Sequence, residues 1–330
     1  MDLSTRYLGL TLAHPVVVGA SPLCGDLDTV RRLEDAGAAA VVMNSVFEEQ
    51  ITREHDRTDK DIGANVDAFA EASSFFPQAS DFRFGPDEYL EQVRRIRAAV
   101  GIPVIGSLNG TTASGWLSYA RLIEEAGAQA LELNVYHVAT DPGEDAATVE
   151  RRAIDIVRAV KASVKIGVAV KLSPFFSSLA NLATRLEEAG ADGLVLFNRF
   201  YQPDIDVNEL EVRPELHLSD PSELLLRLRW LAILSGQRRL DLSCSGGVHA
   251  SVGAVKAVMA GASTVQMVSA ILRHGPSQVS TIIDGLRLWC AKLGYDSIAK
   301  MRGCMNLARC PDPSAFERGN YMRVLQSWAG

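Results

Sequence analysis

Cysteine is scarce in this chain, five residues in 330, an odd number with no C-x-x-C pair. Neither a disulfide framework nor a zinc site is indicated. Cys304 and Cys310 have no histidine beside them, a poor arrangement for zinc or an iron–sulfur cluster. No run is rich in Lys and Arg, and the formal net charge is −7. A nucleic-acid surface is not expected, because phosphate binding needs clustered positive charge. No stretch of about 18 uninterrupted apolar residues occurs. The opening MDLSTRYLGL lacks a basic segment leading into a long apolar one. No G-x-G-x-x-G fingerprint follows a strand-like segment, so direct use of a dinucleotide has no support. A cytoplasmic protein is expected, acting on a small molecule, with no membrane or nucleic-acid partner.

What is present is a repeat. Four times a helix-like stretch closes on Ala-Gly-Ala or a near copy and runs into an apolar strand: EDAGAAAVVMNS, EEAGAQALELNV, EEAGADGLVLFN and VMAGASTVQMVS. Gly37, Gly127, Gly190 and Gly261 stand where a helix stops in a left-handed residue before a buried parallel strand. Further strand-length apolar runs lie between the copies, at 16–21, 102–109, 167–173 and 240–247, each followed by an amphipathic segment. The count is eight strands and eight helices, an α/β chain folded as a (β/α)8 TIM barrel. Such a barrel needs roughly 250 residues, so the surplus is read as insertions within one domain spanning 1–330. They are expected at about 46–85 and 199–221, after strands two and six, with a C-terminal extension over about 296–330. The alternation in 199–221 suggests short extra strands. LGLTLAHPVVV is read as an N-terminal hairpin turning at His14-Pro15 and plugging one end of the barrel.

Both insertions follow strands, at the face where barrels build active sites. Polar residues recur there: Ala20-Ser21, Asn44-Ser45, Ser107 to Asn109, Asn134, Lys171, Asn198, Gly246-Gly247 and Ser269-Ala270. Any one of the Ser and Asn residues could simply cap the following helix. Gly246-Gly247 with Ser269-Ala270 stand where barrels hold a phosphate, although Gly-Gly is also a common loop element. Lys171 in VAVKLSP would be costly to bury without an anion, and a salt bridge to Glu132 on the neighbouring strand is the structural alternative. Cys24 and Cys244 are read as packed thiols, with a redox role for Cys24 as the alternative. His249 is placed beside the phosphate position, Tyr136 and Tyr201 flank the mouth, and Asp141 to Asp145 are read as a solvated loop.

VAVKLSPFF, the asparagines of ELN and LFN, SGGVHASVGAVKAVMAGASTVQMVSAILRHGP and GYDSIAKMRG resemble the dihydroorotate dehydrogenase family, in particular its class 1 branch. SLNG, FNRFYQPDID and PSAFERGNYMRVLQSW resemble its dihydroorotate dehydrogenase-like subgroup. The resemblance covers essentially the whole chain. It implies FMN across the C-terminal face and a CH–CH oxidoreductase that passes hydride to flavin N5. It further implies that Ala20, Ser21, Ser45, Asn109, Asn134 and Lys171 contact the flavin, and that Gly246, Gly247, Ser269 and Ala270 hold its phosphate. Asn44, Asn134 and Asn198 would face the substrate, and a homodimer is implied by the same likeness. A fixed cation beside flavin N1 would stabilise the reduced, anionic ring.

The departures concern the substrate. Class 1 members carry a cysteine base in a loop reading roughly Asn-Leu-Ser-Cys-Pro-Asn, whereas this chain reads Asn134-Val135-Tyr136-His137-Val138-Ala139. His137 thus takes the cysteine position, either as a general base or as a loop residue with no part in catalysis. Ala139 replaces a ring-binding asparagine. Met43 or Asn44 stands where a lysine is expected, and 72–77 read Ala-Ser-Ser-Phe-Phe-Pro. At about 1 kcal/mol or more per unmade bond these losses amount to several kcal/mol. Pyrimidine metabolism is the family context, yet dihydroorotate is expected to be a poor substrate or none. A true dihydroorotate dehydrogenase, a non-redox barrel acting on a phosphorylated metabolite, and a flavin-binding subunit of a larger redox complex stay open. The electron acceptor is not specified, and a redox partner protein is compatible with the sequence.

Overall fold

The computed structural model describes residues 1–47, 86–110, 113–199, 202–213 and 216–327. Most of the expected first insertion, with the 72–77 segment, and Tyr201 lie outside them. The chain opens with an antiparallel pair, β1 (Thr5–Tyr7) and β2 (Leu10–Leu12), then enters β3 (Val16–Val18), α1 (Leu27–Asp35), β4 (Val41–Val42) and β5 (Val46–Phe47). There follow α2 (Pro86–Ala99), β6 (Val104–Gly110), α3 (Ala113–Glu125), β7 (Ala130–Val135), α4 (Ala146–Ser163), β8 (Gly167–Leu172), α5 (Leu179–Glu188) and β9 (Gly193–Leu196). The expected strands of the second insertion are β10 (Asp204–Asp206) and β11 (Glu211–Arg213), paired antiparallel. Then come α6 (Leu224–Ser235), β12 (Asp241–Ser245), α7 (Ser251–Ala260), β13 (Thr264–Met267), α8 (Ser269–His274) and α9 (Gln278–Lys292). The C-terminal extension holds α10 (Ile298–Met301) and α11 (Asn320–Gln326).

Parallel pairing runs β3–β4–β6–β7–β8–β9–β12–β13 and returns to β3, a closed eight-stranded barrel ringed by helices. The repeat glycines end their helices with φ of +93, +100, +101 and +125, the conformation that side chains disfavour. The repeat carries a second device. Glu34, three residues before Gly37, accepts from the Gly101 and Ile102 amides at 2.7 and 3.2 Å. Glu124 does the same for Lys165 and Ile166 at 2.9 and 3.1 Å. Glu187 accepts from the Arg239 amide at 3.2 Å. Strand two runs further than expected, because Val46 and Phe47 still pair with Leu108 and Asn109.

The hairpin is present, but its turn is not at His14-Pro15. It lies at Leu8-Gly9, both at positive φ, between the paired Tyr7 and Leu10, because a two-residue hairpin turn needs positive φ at its centre and Gly9 supplies it freely. His14 instead bridges two segments: its Nε2 donates to Gly37 O at 2.7 Å while Nδ1 accepts from the Val16 amide at 3.2 Å. Tyr7, Leu8 and Leu12 pack with Val17, Ile105, Ala130 and Ala169 inside the base of the barrel, plugging it. Small residues on the barrel wall make the room. A methyl group at Gly167 would lie 2.4 Å from Leu8 O. Gly167→Ala is expected to lower stability by about 1–3 kcal/mol, the usual cost of overpacking. Urea unfolding measures it, and a midpoint equal to that of the parent protein would contradict the plug contact.

Candidate active site

The strands alternate across the barrel wall with period two. In β7, Leu131 and Leu133 face the helices, while Ala130, Glu132 and Asn134 face the interior. The interior is apolar at its base and polar toward the C-terminal ends of the strands. There Glu132, 1% exposed, accepts from Lys171 Nζ at 3.0 Å on one carboxylate oxygen and from Gln266 Nε2 at 2.6 Å on the other. The expected alternative for Lys171, an ion pair with Glu132, is thus present, and the lysine still lines the mouth.

A cavity of about 290 Å³ opens at that mouth, near the lower end of ligand pockets. Of the residues singled out from sequence it brings together Ala20, Ser21, Lys171, Asn198, Gly246, Gly247 and Ser269. Asn44, Ser45, Asn109, Asn134, His137 and Ala270 lie outside its lining. Ser45 Oγ is 2.7 Å from Ser107 Oγ. Asn109 and Asn134 are register partners, and Asn134 Oδ1 accepts from Asn198 Nδ2 at 2.9 Å. Ala270 is buried in the first turn of α8. Seven side-chain oxygens among the described residues are buried without a hydrogen bond; two of them, Gln266 Oε1 and Ser21 Oγ, the latter with the Cys24 thiol beside it, belong to residues lining the cavity, whereas Asn44 Oδ1, Tyr7 Oη, Gln92 Oε1, Ser243 Oγ and Thr264 Oγ1 do not. Buried polar atoms normally have partners, so the two at the cavity suit a polar ligand.

At the glycine end, Gly246 and Gly247 have φ of +91 and +81, and a Cβ on Gly247 would sit 2.5 Å from Leu224 N. No side chain fits that turn. Ser219, from the second insertion, closes over it: its amide donates to Ser269 Oγ at 3.0 Å, and its hydroxyl stands 3.4 Å from both Gly247 N and His249 Nε2. Arg227 was not legible as a site residue. Its guanidinium is buried against the turn, donating to Ser245 O at 3.0 Å and to Glu223 O at 2.8 Å, with Glu223 Oε2 at 3.3 Å. A charged residue inside the apolar run LLLRLRWLAILS was the available signal.

His137 is half-buried and oriented. Its Nε2 lies 2.8 Å from Glu144 Oε2, and Arg152 pairs with the other oxygen of Glu144. The hydrogen bond from His137, followed by Arg152, holds the Glu144 carboxyl below the usual carboxylate range. Asp141 to Asp145 are therefore not wholly a solvated loop. Asp141 and Asp145 are exposed, and Asp145 caps α4 through the Thr148 amide at 2.7 Å, but Glu144 turns inward. With Glu144 accepting at Nε2, neutral His137 presents Nδ1 as its basic nitrogen. Cys24 and Cys244 are fully buried, and burial pushes both thiols up to about 12. Both are packed thiols, as read from sequence. Among the described residues no cluster of His, Cys, Asp and Glu could hold a metal ion, and no helix is long and apolar enough to cross a membrane.

Comparison with known proteins adds names to this geometry. A family model described as dihydroorotate dehydrogenase matches residues 83–289. The catalytic subunit of dihydroorotate dehydrogenase B (NAD(+)) from Thermoplasma acidophilum is 29% identical over 92% of this chain and 98% of its own length. The protein of the same name from Anoxybacillus flavithermus is 30% identical over 66% of this chain and 72% of its own. The NAD-dependent dihydropyrimidine dehydrogenase subunit PreA of Escherichia coli is 24% identical over 92% of this chain and 77% of its own.

Two outcomes follow from the site as built. Removing one member of the buried pair leaves an uncompensated charge, so Lys171→Met is expected to cost about 3–5 kcal/mol in denaturant unfolding, most of it recovered in Lys171→Met/Glu132→Gln. A double variant as unstable as the single one would contradict the pairing. For the thiols, a folded value of about 12 leaves roughly one molecule in ten thousand as thiolate at pH 8. Native protein is then expected to show no alkylation at Cys24 or Cys244 by mass spectrometry at that pH. The sign for stability is set as well: unfolded thiols ionise near ~8.5, so their contribution is lost as pH rises from there toward 12.

Proposed function

The chain belongs to the dihydroorotate dehydrogenase family and is an oxidoreductase of that family, a dehydrogenase of CH–CH bonds; from that premise we propose that it works with FMN on a substrate other than dihydroorotate. One observation carries the proposal: the residue at the family's cysteine position is His137, held by Glu144 and Arg152. A carboxylate behind an imidazole fixes the ring and its tautomer, the arrangement of a working general base.

The mouth suits FMN, because the buried oxygens of Ser21 and Gln266 lack hydrogen bonds there and the Gly246-Gly247 turn excludes side chains. In this reading Gly246, Gly247, Ser269 and Ala270 hold the phosphate, and Ala20, Ser21, Ser45 and Asn109 line the ring. FMN bound there supplies the hydride acceptor. Lys171, fixed by Glu132, keeps one positive charge at the mouth. His137 takes the substrate proton on Nδ1 while Nε2–H stays on Glu144. Asn134 and Asn198, bonded to each other, and Asn44 face the substrate. Ala139 offers nothing to a pyrimidine ring. That a relative is named for dihydropyrimidines supports a substrate other than dihydroorotate in this family. Relatives named as subunits support a protein partner as electron acceptor. A homodimer, one domain over 1–330 and a cytoplasmic location complete the proposal.

The test is the visible absorption spectrum of purified protein with and without added FMN, followed by anaerobic reduction with dihydroorotate and other cyclic CH–CH donors. Flavin bands near one equivalent are expected, with slow or absent bleaching by dihydroorotate. With an active donor in hand, His137→Ala is expected to slow flavin reduction about 10²-fold while the flavin stays bound. Absence of flavin bands in excess FMN would sink the cofactor reading. Rapid bleaching by dihydroorotate would sink the substrate reading.

A further inference from the structure

A second cavity, of about 390 Å³, lies at the opposite end of the barrel, and its wall carries four arginines, Arg238, Arg239, Arg302 and Arg309, against one carboxylate, Asp241. It is not an extension of the mouth. β12 runs from Asp241 at this cavity to Ser245 at the mouth, five residues or roughly 15 Å.

The wall is rigid. The C-terminal extension is stitched to the barrel by backbone bonds from Gly303 to Val258 O at 3.0 Å, from Met305 to Met259 O at 2.9 Å and from Leu307 to Ala232 O at 2.9 Å. Asn306, buried between them, donates to Ser235 Oγ at 3.2 Å. Asp241 is already committed: one oxygen accepts from the Leu8 amide at 2.8 Å, the other from Ser263 Oγ at 3.2 Å, and Arg302 reaches that same hydroxyl at 3.1 Å. Arg238 has Glu187 4.0 Å away. Among the described residues the Arg239 and Arg309 guanidinium groups make no hydrogen bond or ion pair. With Asp241 and Glu187 set against the four arginines, two positive charges remain in excess at the cavity, on a chain whose net charge is −7.

We propose that this cavity is a binding site for a small polyanion of the phosphoryl class, with two anionic groups to engage two pairs of guanidiniums. Arginine matches phosphoryl oxygens in paired hydrogen bonds, and concentrated positive charge in a concave, fixed wall favours a multiply charged ligand over a chloride ion. Serine and asparagine in the same wall, Ser235, Ser263 and Asn306, add neutral polar groups.

Inorganic pyrophosphate is the probe. Calorimetric titration of the full chain at low salt, with FMN in excess so that any phosphate position at the mouth is occupied, is expected to show saturable one-to-one binding that weakens as salt is added. Arg239→Ala/Arg309→Ala, at two exposed positions, is expected to weaken that binding at least tenfold and to leave the melting temperature without pyrophosphate unchanged. Arg309→Gln alone is expected to weaken it severalfold, which serves if the double variant folds poorly. No saturable binding by the parent protein, or equal binding by the variants, would overturn the assignment whatever the outcome with FMN.

Discussion

A carboxylate taken out of water inside a barrel must be met by charge or by hydrogen bonds, and Glu132 is met by both. Lys171 and Gln266 arrive from two other strands, one oxygen each. The lysine is thereby pinned as much as the glutamate is neutralised. A flexible four-carbon chain that would sample many rotamers in an open mouth is left with one. Burial cost and functional placement are two sides of the same contact. The pair belongs to the strand framework itself, so it ties the position of a mouth charge to the register of β7, β8 and β13.

That register also divides the barrel along its axis. Ala130, Glu132 and Asn134 follow one another up the inner face of β7, and the same change from small apolar to polar occurs on β8, from Ala169 to Lys171. The base is packed dry around Tyr7, Leu8 and Leu12. Above it hydrogen-bonding groups accumulate, and Gln266 Oε1 lies buried there without a partner. A natural protein tolerates such atoms where something else completes them.

Much of the architecture was readable because it rests on local rules. A glycine that must stop a helix, a strand that must be buried on both faces and a rim of Ser and Asn are each visible in a few residues, and the eight strands lie where those signals put them. Contacts between distant segments were not readable. Proline marks a turn, so the sequence points to His14-Pro15 for the N-terminal hairpin, yet the positive φ available at Gly9 decides the matter. His137 could be named, but not the carboxylate behind it, since Glu144 sits in an acidic run that resembles any solvated loop. Arg227 and Ser219 reach the Gly246-Gly247 turn from α6 and from the second insertion, and no spacing in the chain announces either approach.

The glutamates that precede the repeat glycines carry a further meaning. Glu34 ties the first βα unit to the end of the second, Glu124 the third to the fourth, and Glu187 the fifth to the sixth. The first six units of the barrel are therefore latched in twos. For recombination between related chains, the natural seams fall after the second, fourth and sixth units, where a crossover exchanges whole latched pairs. A crossover after the first, third or fifth unit would separate a carboxylate from the amides it was shaped to receive.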